Sequence, residues 1–234
     1  MAYIEVVDKS GVIGIGSAFH VGGGVFITAR HVLENKDISK IATTERKFYL
    51  DLKGSKVLGG SDELYSEYRP GEGKLRAGPF FHPDPLVDVA AIVVEGLKPE
   101  SIPLGGMFDD MIMDSDFILT EAIVMGYPRI PFSKTPVIVA ARAEVNAIID
   151  KYNGPNVHFI VSSVARGGFS GGVCLHQWGM PLGLVTESLN RNNLEPELGY
   201  MAVLSVEPIY ECLYHHKICP EAQNMGDMVR TYDV

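Results

Sequence analysis

The chain has 234 residues, of which 46% are hydrophobic, and its formal net charge is -9 with an isoelectric point near 5.2. The hydrophobic content is ample for a packed core, whereas the excess of acids disfavours nucleic acid, because neutralising phosphates requires clustered Lys and Arg. No apolar run approaches the ~20 residues that span a bilayer as a helix, so we expect no nucleic-acid and no membrane partner.

The N-terminus and the cysteines bear on the compartment. The first nine residues contain no basic segment followed by a long apolar stretch, so they do not resemble a secretory signal. Cys174, Cys212 and Cys219 are an odd and small number for a secreted disulfide framework. These features predict a cytoplasmic protein with reduced thiols.

Glycine and proline content predicts a chain of short strands. The 25 glycines and 14 prolines separate compact apolar segments, and long helical periodicities are scarce. The first segments lie between Val12 and Thr28, at residues 48–52 and at residues 88–94. Val25-Phe26-Ile27 leads to His31, as expected where a strand delivers an imidazole to a cleft.

The next part of the chain is polar and then offers two acids. Residues 59–80 are rich in charges and turn residues, which predicts an exposed loop or an edge hairpin. Asp84 lies between two prolines, which is typical of a turn whose carboxylate binds local amides. Asp88 enters an apolar run and needs a partner for a buried carboxylate, such as an imidazolium. We therefore favour Asp88 over Asp84 as the partner of a histidine.

A connection over residues 101–116 precedes a second set of apolar segments. The motif Gly168-Phe169-Ser170-Gly171-Gly172 lies within this second set. Glycines on both sides of Ser170 allow a sharp turn that points backbone amides at one spot, which suits an oxyanion hole. A serine hydroxyl becomes a nucleophile when an imidazole accepts its proton and a carboxylate fixes the imidazole tautomer.

The C-terminal region predicts one helix. Ser205 followed by Glu207, Pro208 and apolar residues three to four apart indicates a capped helix. We expect the short polar tail after Cys219 to be frayed.

The helix also carries potential metal ligands. Cys212, either His215 or His216, and Cys219 would share one face. Structural zinc usually takes four ligands, and Pro220 predicts that the helix ends at Cys219. We therefore favour a half-buried helix end over a zinc site. The other histidines, His20, His158 and His176, are interpreted as structural.

At these residues the chain resembles the chymotrypsin-like (trypsin-like) serine peptidases, and in particular their bacterial members. The order His, Asp, Ser matches that family. Further matching segments are the first hairpin (16–32), the turn Gly126-Tyr127-Pro128, the strand 183–188 that lines the substrate cleft, and a closing helix over Val203 to Leu213.

The resemblance implies an all-β fold of two antiparallel six-stranded β-barrels with a C-terminal α-helix. Residues 1–110 would form an N-terminal barrel carrying His31 and Asp88. Residues 111–234 would form a C-terminal barrel carrying Ser170, followed by the helix.

The resemblance also implies a serine endopeptidase that needs no metal or other cofactor. His31, Asp88 and Ser170 would form the catalytic triad, and the amides of Gly168 and Ser170 the oxyanion hole. The expected partners are a polypeptide substrate and a regulatory protein.

The primary substrate pocket follows from the same resemblance. Its base would be Val164, six residues before the serine, with Ala165 beside it and Thr186 and Ser188 lining the cleft. An apolar base predicts an uncharged, small or medium side chain at the cleaved position.

Two positions depart from the family pattern. Phe169 replaces an acid that pairs with a newly cut N-terminus in the digestive members, so we expect activity without such a cut. Val173 stands where proline is common.

Two other functions compete with a serine endopeptidase. They are a catalytically silent binding module of the same fold and an esterase with the same triad.

Overall fold

The computed structural model describes residues 1–50, 64–105, 117–150, 156–163, 167–188 and 199–223, with the backbone alone for 45–50, 64–70, 150, 187 and 188. Most of these residues lie in strands. The first six strands close into a barrel in the order β1-β2-β3-β6-β5-β4. They are β1 (Ala2–Asp8), β2 (Ile13–Gly22), β3 (Val25–Thr28), β4 (Lys36–Leu50), β5 (Leu64–Phe81) and β6 (Ala90–Glu95).

Six further strands close into a second barrel in the order β10-β11-β12-β9-β8-β7. They are β7 (Glu121–Gly126), β8 (Val139–Asp150), β9 (Val157–Val161), β10 (Val173–His176), β11 (Pro181–Ser188) and β12 (Met201–Leu204). All pairings are antiparallel. The predicted double barrel is therefore confirmed, while the boundary at residues 110 and 111 lies outside the described residues and stays a prediction.

The first barrel begins earlier than the sequence analysis placed it. β1 pairs with β2 on one side and with β4 on the other. Ala2, Ile4 and Val6 are buried at 0–2% exposure, and Tyr3 between them is buried at 2%, so both faces of the strand are covered at its N-terminal end. Trimming the chain to Val12 would remove a barrel strand.

The polar stretch before Asp88 is a hairpin arm. β4 and β5 pair with each other from Ile41 opposite Gly73 to Leu50 opposite Leu64, and β5 then continues along β6. Of the loop and the hairpin predicted for residues 59–80, the structure shows the hairpin for residues 64–80. Residues 59–63 lie outside the described residues.

The main apolar core crosses from one barrel to the other. Phe19 and Ile27 of the first barrel belong to the same buried cluster as Val124 and Val173 of the second. Phe169, next to Ser170, is 4% exposed within this cluster. Burying a side chain of this size stabilises the fold by about 2 kcal/mol, so the core also anchors the Ser170 loop.

The C-terminal helix differs from its prediction at both ends. Helix α2 covers Glu207–His215, and Val203 belongs to β12. The residue at the N-cap is Val206, and no side chain caps the helix. Ser205 lies one residue before this N-cap, and its backbone amide donates to Val157 O at 3.0 Å.

The segment after α2 is anchored rather than frayed as far as Gln223. A short 3-10 turn covers Glu221–Gln223. The buried Gln223 amide donates to Val21 O and Ile102 O and accepts from Leu104 N. Residues 224–234 lie outside the described residues. Among the helices of the described chain, none is both long enough and apolar enough to cross a membrane.

Candidate active site

His31 reaches the site from a short helix that follows β3. Helix α1 covers Arg30–Leu33, directly after the buried end of the strand. Asp88 contacts His31 twice: Oδ2 lies 2.7 Å from the imidazole Nδ1, and Oδ1 accepts the His31 backbone N–H at 2.9 Å. A carboxylate on Nδ1 favours the tautomer that leaves Nε2 free to accept a proton.

The rival acid has the local role that its prolines predicted. Asp84 Oδ1 accepts the amide of Leu86 at 2.8 Å, which is a turn within its own loop. The structure therefore brings Asp88 to His31 and holds Asp84 elsewhere.

A buried histidine closes the loop that carries Asp88. The His82 backbone N–H donates to Val89 O at 3.0 Å, and His82 O accepts from Arg30 at 3.3 Å. Its imidazole Nδ1 accepts the amide of Asp84 at 3.1 Å. Its Nε2 lies 2.9 Å from Glu211 Oε2 on α2. The C-terminal helix thus braces the loop before Asp88.

Ser170 lies in a turn that only glycine permits at two places. Gly168 and Gly171 have φ of +106° and +84°. A Cβ on Gly168 would lie 2.3 Å from Tyr127 O, and one on Gly171 would lie 2.0 Å from Ser17 O. Both distances are far below van der Waals contact, so the main chain can pass here only without side chains.

Hydrogen bonds fix the carbonyls of this turn. Gly167 O accepts from Arg129 N at 3.1 Å, and Phe169 O accepts from Gly172 N at 2.8 Å. The amides of Gly168 and Ser170 donate to no acceptor within the described residues. These two amides are therefore available to a ligand oxygen, which is the property that an oxyanion hole requires.

Ser17 on β2 joins the two halves of the site. Its backbone N–H donates to Ser170 O at 2.8 Å, and its carbonyl accepts from Thr28 Oγ1 at 2.7 Å. Thr28 precedes His31 by three residues. The strand that leads to the histidine and the turn that carries the serine are thus tied to one residue.

The imidazole and the serine hydroxyl are not bonded to each other. Both residues are described, and no hydrogen bond joins His31 Nε2 to Ser170 Oγ within the described chain. The His31 side chain is 49% exposed and the Asp88 side chain 28%. Catalytic hydrogen bonds are often long without substrate and tighten when it binds.

The predicted substrate pocket is only partly described. Val164 and Ala165 lie outside the described residues. Thr186 is 2% exposed, and its hydroxyl donates to Ala202 O at 3.4 Å, so little of its surface is free. The Ser188 backbone pairs with Met201 at the end of β11. The pocket assignment stays a prediction.

Two of the possible zinc ligands at the C-terminal end of α2 have other partners. Cys212 is buried with its thiol 3.7 Å from Phe80 O, and burial raises the pKa of that thiol to about 12. His216 Nε2 lies 2.6 Å from Phe81 O. No group of three or more potential ligands occurs among the described residues.

Three residues that position the site were missed by the sequence analysis. They are Ser17, His82 and Glu211. Ser17 was part of a segment matched for its strand, and its side-chain hydrogen bonds are with residues 110 or more positions away. His82 lies beside the Asp84 turn, and nothing in the neighbouring residues indicates that it is buried. Its partner Glu211 lies 129 residues later in the chain.

Comparison with known proteins places the chain among peptidases. The model of the trypsin-like peptidase domain matches residues 16–184. The active form of the Rv3671c protease from M. tuberculosis superposes with a TM-score of 0.59 at 17% identity, over 91% of this chain and 78% of that one. A structure of a variant of the HtrA-type protease AlgW with a tripeptide superposes with a TM-score of 0.60 at 15% identity, over 95% of this chain and 60% of that one. No curated protein matches the sequence.

Proposed function

Because this chain belongs to the trypsin-like peptidase family, we propose that it is a serine endopeptidase in which Ser170 is the nucleophile, His31 the general base and Asp88 the group that orients His31. The family supports a serine protease-type hydrolase. The roles of the individual residues are the proposal.

The observation that carries the proposal is the double contact of Asp88 with His31. One carboxylate oxygen fixes the backbone of the histidine and the other its ring, at 2.9 and 2.7 Å. An imidazole held in this way needs no further adjustment of its tautomer before it accepts a proton. A histidine at the same strand end with a purely structural role would not need a carboxylate on both atoms.

The proposed reaction has two stages. Ser170 Oγ attacks the peptide carbonyl carbon while its proton moves to His31 Nε2, and the resulting oxyanion accepts hydrogen bonds from the amides of Gly168 and Ser170. The C–N bond then breaks as His31 gives its proton to the leaving amine. Water, deprotonated by His31, hydrolyses the ester and releases Ser170.

The substrate preference is a finer part of the proposal. The apolar Val164 at the predicted base of the primary pocket supports cleavage after uncharged, small or medium side chains, because a buried cation or anion would lack a partner there. The first experiment is therefore digestion of an unbiased peptide library by the full chain, with Ser170→Ala as the matched control and cleavage sites read by mass spectrometry.

The outcomes separate the candidate functions. Ser170-dependent cleavage after apolar residues supports the whole proposal. Cleavage after Lys, Arg or Glu overturns the pocket assignment alone. Hydrolysis of ester substrates with no peptide cleavage favours an esterase, and absence of any turnover favours a silent binding module.

A further inference from the structure

We propose that Ser17 is a positioning residue of the first barrel that sets the geometry of the oxyanion turn in the second barrel. The proposal rests on the proposed function. It concerns how the amides of Gly168 and Ser170 are held in place.

The Ser17 side chain bonds to the second barrel in two directions. Its Oγ donates to Gly168 O at 2.6 Å and accepts the backbone N–H of Tyr127 at 2.8 Å. The residue is 0% exposed. Both bonds are therefore shielded from water, and a buried partner left without its bond would be costly.

The Ser17 backbone makes the other two contacts. Its N–H donates to Ser170 O, and its carbonyl accepts from Thr28 Oγ1. All the polar atoms of Ser17 are therefore engaged within the described chain. Three of its four contacts are to the second barrel, and the fourth is to the strand that leads to His31.

The two contacts of Ser17 with the Ser170 turn fall on alternate peptide units of that turn. The amide of Gly168 shares a peptide unit with Gly167 O, which Arg129 N holds, and the amide of Ser170 shares one with Phe169 O, which Gly172 N holds. Ser17 holds the other two peptide units. It donates to Gly168 O, in the unit between Gly168 and Phe169, and to Ser170 O, in the unit between Ser170 and Gly171. Each unit from Gly167 to Gly171 thus has its carbonyl fixed.

Gly168 is the point where this order matters most. Glycine has the widest choice of backbone conformation, and Gly168 adopts φ of +106°. Without the bond from Ser17 Oγ to its carbonyl, the peptide unit after Gly168 is free to rotate. This unit joins the two units whose amides would stabilise the oxyanion, so its rotation changes ψ of Gly168 and φ of Phe169 and shifts those amides relative to each other.

The inference makes a kinetic distinction. A residue that aims the oxyanion donors affects the transition state more than substrate binding, so its loss lowers kcat with little change in KM. Loss of one oxyanion donor costs about 10²–10³ in kcat. For Ser17→Ala, which misaligns donors without deleting them, we expect a loss of about 10 to 100-fold.

The test compares Ser17→Ala with a matched control in the second barrel. Thr120→Val also removes a hydroxyl that donates to a backbone carbonyl, that of Phe117 at 2.6 Å, but lies away from Ser170. For each variant, kcat and KM are measured on a peptide substrate. The inhibition constant of a peptide boronic acid, whose tetrahedral adduct places an oxygen in the oxyanion site, is measured in parallel.

The expected result is that Ser17→Ala loses kcat and boronate affinity by the same factor, with KM changed less than about threefold, while Thr120→Val keeps all three. Ser17→Cys retains volume with a weaker donor and should show a smaller loss in the same direction, which provides the test if the alanine variant does not fold.

Three outcomes would overturn the inference. They are an unchanged kcat in a folded Ser17 variant, a rise in KM that accounts for the whole loss, and an equal loss in Thr120→Val. An inactive wild-type chain that binds no boronate would instead contradict the proposed function.

Discussion

The two barrels hold their halves of the site by different means. The first barrel presents side chains: the His31 imidazole and the Asp88 carboxylate, which bond to each other and are partly exposed. The second barrel presents main chain: the turn around Ser170, whose carbonyls are fixed by other backbone groups and by Ser17. Only the serine hydroxyl is a side-chain contribution.

This difference determines which substitutions lower activity alone and which also lower the stability of the fold. A substitution of His31 or Asp88 deletes a chemical group at a residue that lies outside the barrel strands. The second half is sensitive to any Cβ that forces the turn to move. The predictions below separate these two kinds of damage, from the largest expected effect to the smallest.

The largest effect is expected for the nucleophile and the base. Ser170→Ala and His31→Ala should each lower peptide turnover by about 10⁶-fold, because triad residues act as a unit. Their thermal unfolding midpoints should equal that of the unmodified chain. A residual turnover within tenfold of the parent for either variant would remove that residue from the proposed triad.

The acid of the first half should come next. Asp88→Asn should lower turnover by about 10⁴-fold, because the amide favours the wrong imidazole tautomer. Asp84→Asn is the matched control, and we expect little change, since its carboxylate serves a local turn. The opposite ranking in steady-state assays would show that the acid is misassigned.

Damage to the second half should combine loss of activity with loss of stability. Gly171→Ala places a Cβ 2.0 Å from Ser17 O and 2.3 Å from Thr28 Oγ1 at φ of +84°. We expect it to destabilise the fold by about 3 kcal/mol and to abolish most turnover. Gly167→Ala is the control, because its Cβ would meet no atom of the described residues within 4 Å. Equal denaturation midpoints for the two variants would contradict a turn built on close approach.

The brace on the first half should have a moderate effect. Glu211→Ala leaves Nε2 of the buried His82 without its partner, which should lower the free energy of unfolding by about 2 kcal/mol and turnover by a few-fold. Glu211→Gln keeps an acceptor and should behave nearly as the parent in urea unfolding. A fully stable alanine variant would mean that α2 does not brace the Asp88 loop.

The smallest effect is a dependence of stability on pH in both barrels. Burial lowers the pKa of His20 in the first barrel and of His176 in the second from the usual 6.5. The unfolded chain therefore takes up protons first, so stability should fall as pH drops below about 6.5 and should be unaffected by these groups above it. His20→Gln should flatten this trend in urea midpoints between pH 7.5 and 5; a steeper trend would contradict it.

The sequence predicted those features of the molecule that depend on residues close together in the chain. The segments before His31 and around Ser170 carry their chemistry in a few adjacent residues, so the resemblance to a family could be seen there, and the double barrel followed from that resemblance. The pairing of Asp88 with His31 could be predicted from the apolar run that Asp88 enters. β1 was missed although Tyr3 to Val7 is rich in β-branched residues. These β-branched residues were a usable strand signal, but the first nine residues were considered only as a possible secretory signal.

The remaining differences arise from partners that are distant in the chain. The buried side chain of Gln223 donates hydrogen bonds to the carbonyls of Val21 and Ile102, and no pattern in the residues around Gln223 predicts these partners. The brace between His82 and Glu211 spans 129 positions. Ser205 fits a cap by residue type, yet the chain leaves β12 in a geometry that starts the helix one residue later.

The most direct test of the account is the labelling of the full chain by a fluorophosphonate, which reacts with serines activated by an adjacent base. Peptide mapping should locate the adduct on Ser170, and the labelling rate should collapse in His31→Ala while the protein stays folded. A chain that resists the probe, or an adduct on another residue, would contradict the claim that the two barrels together form an active serine nucleophile.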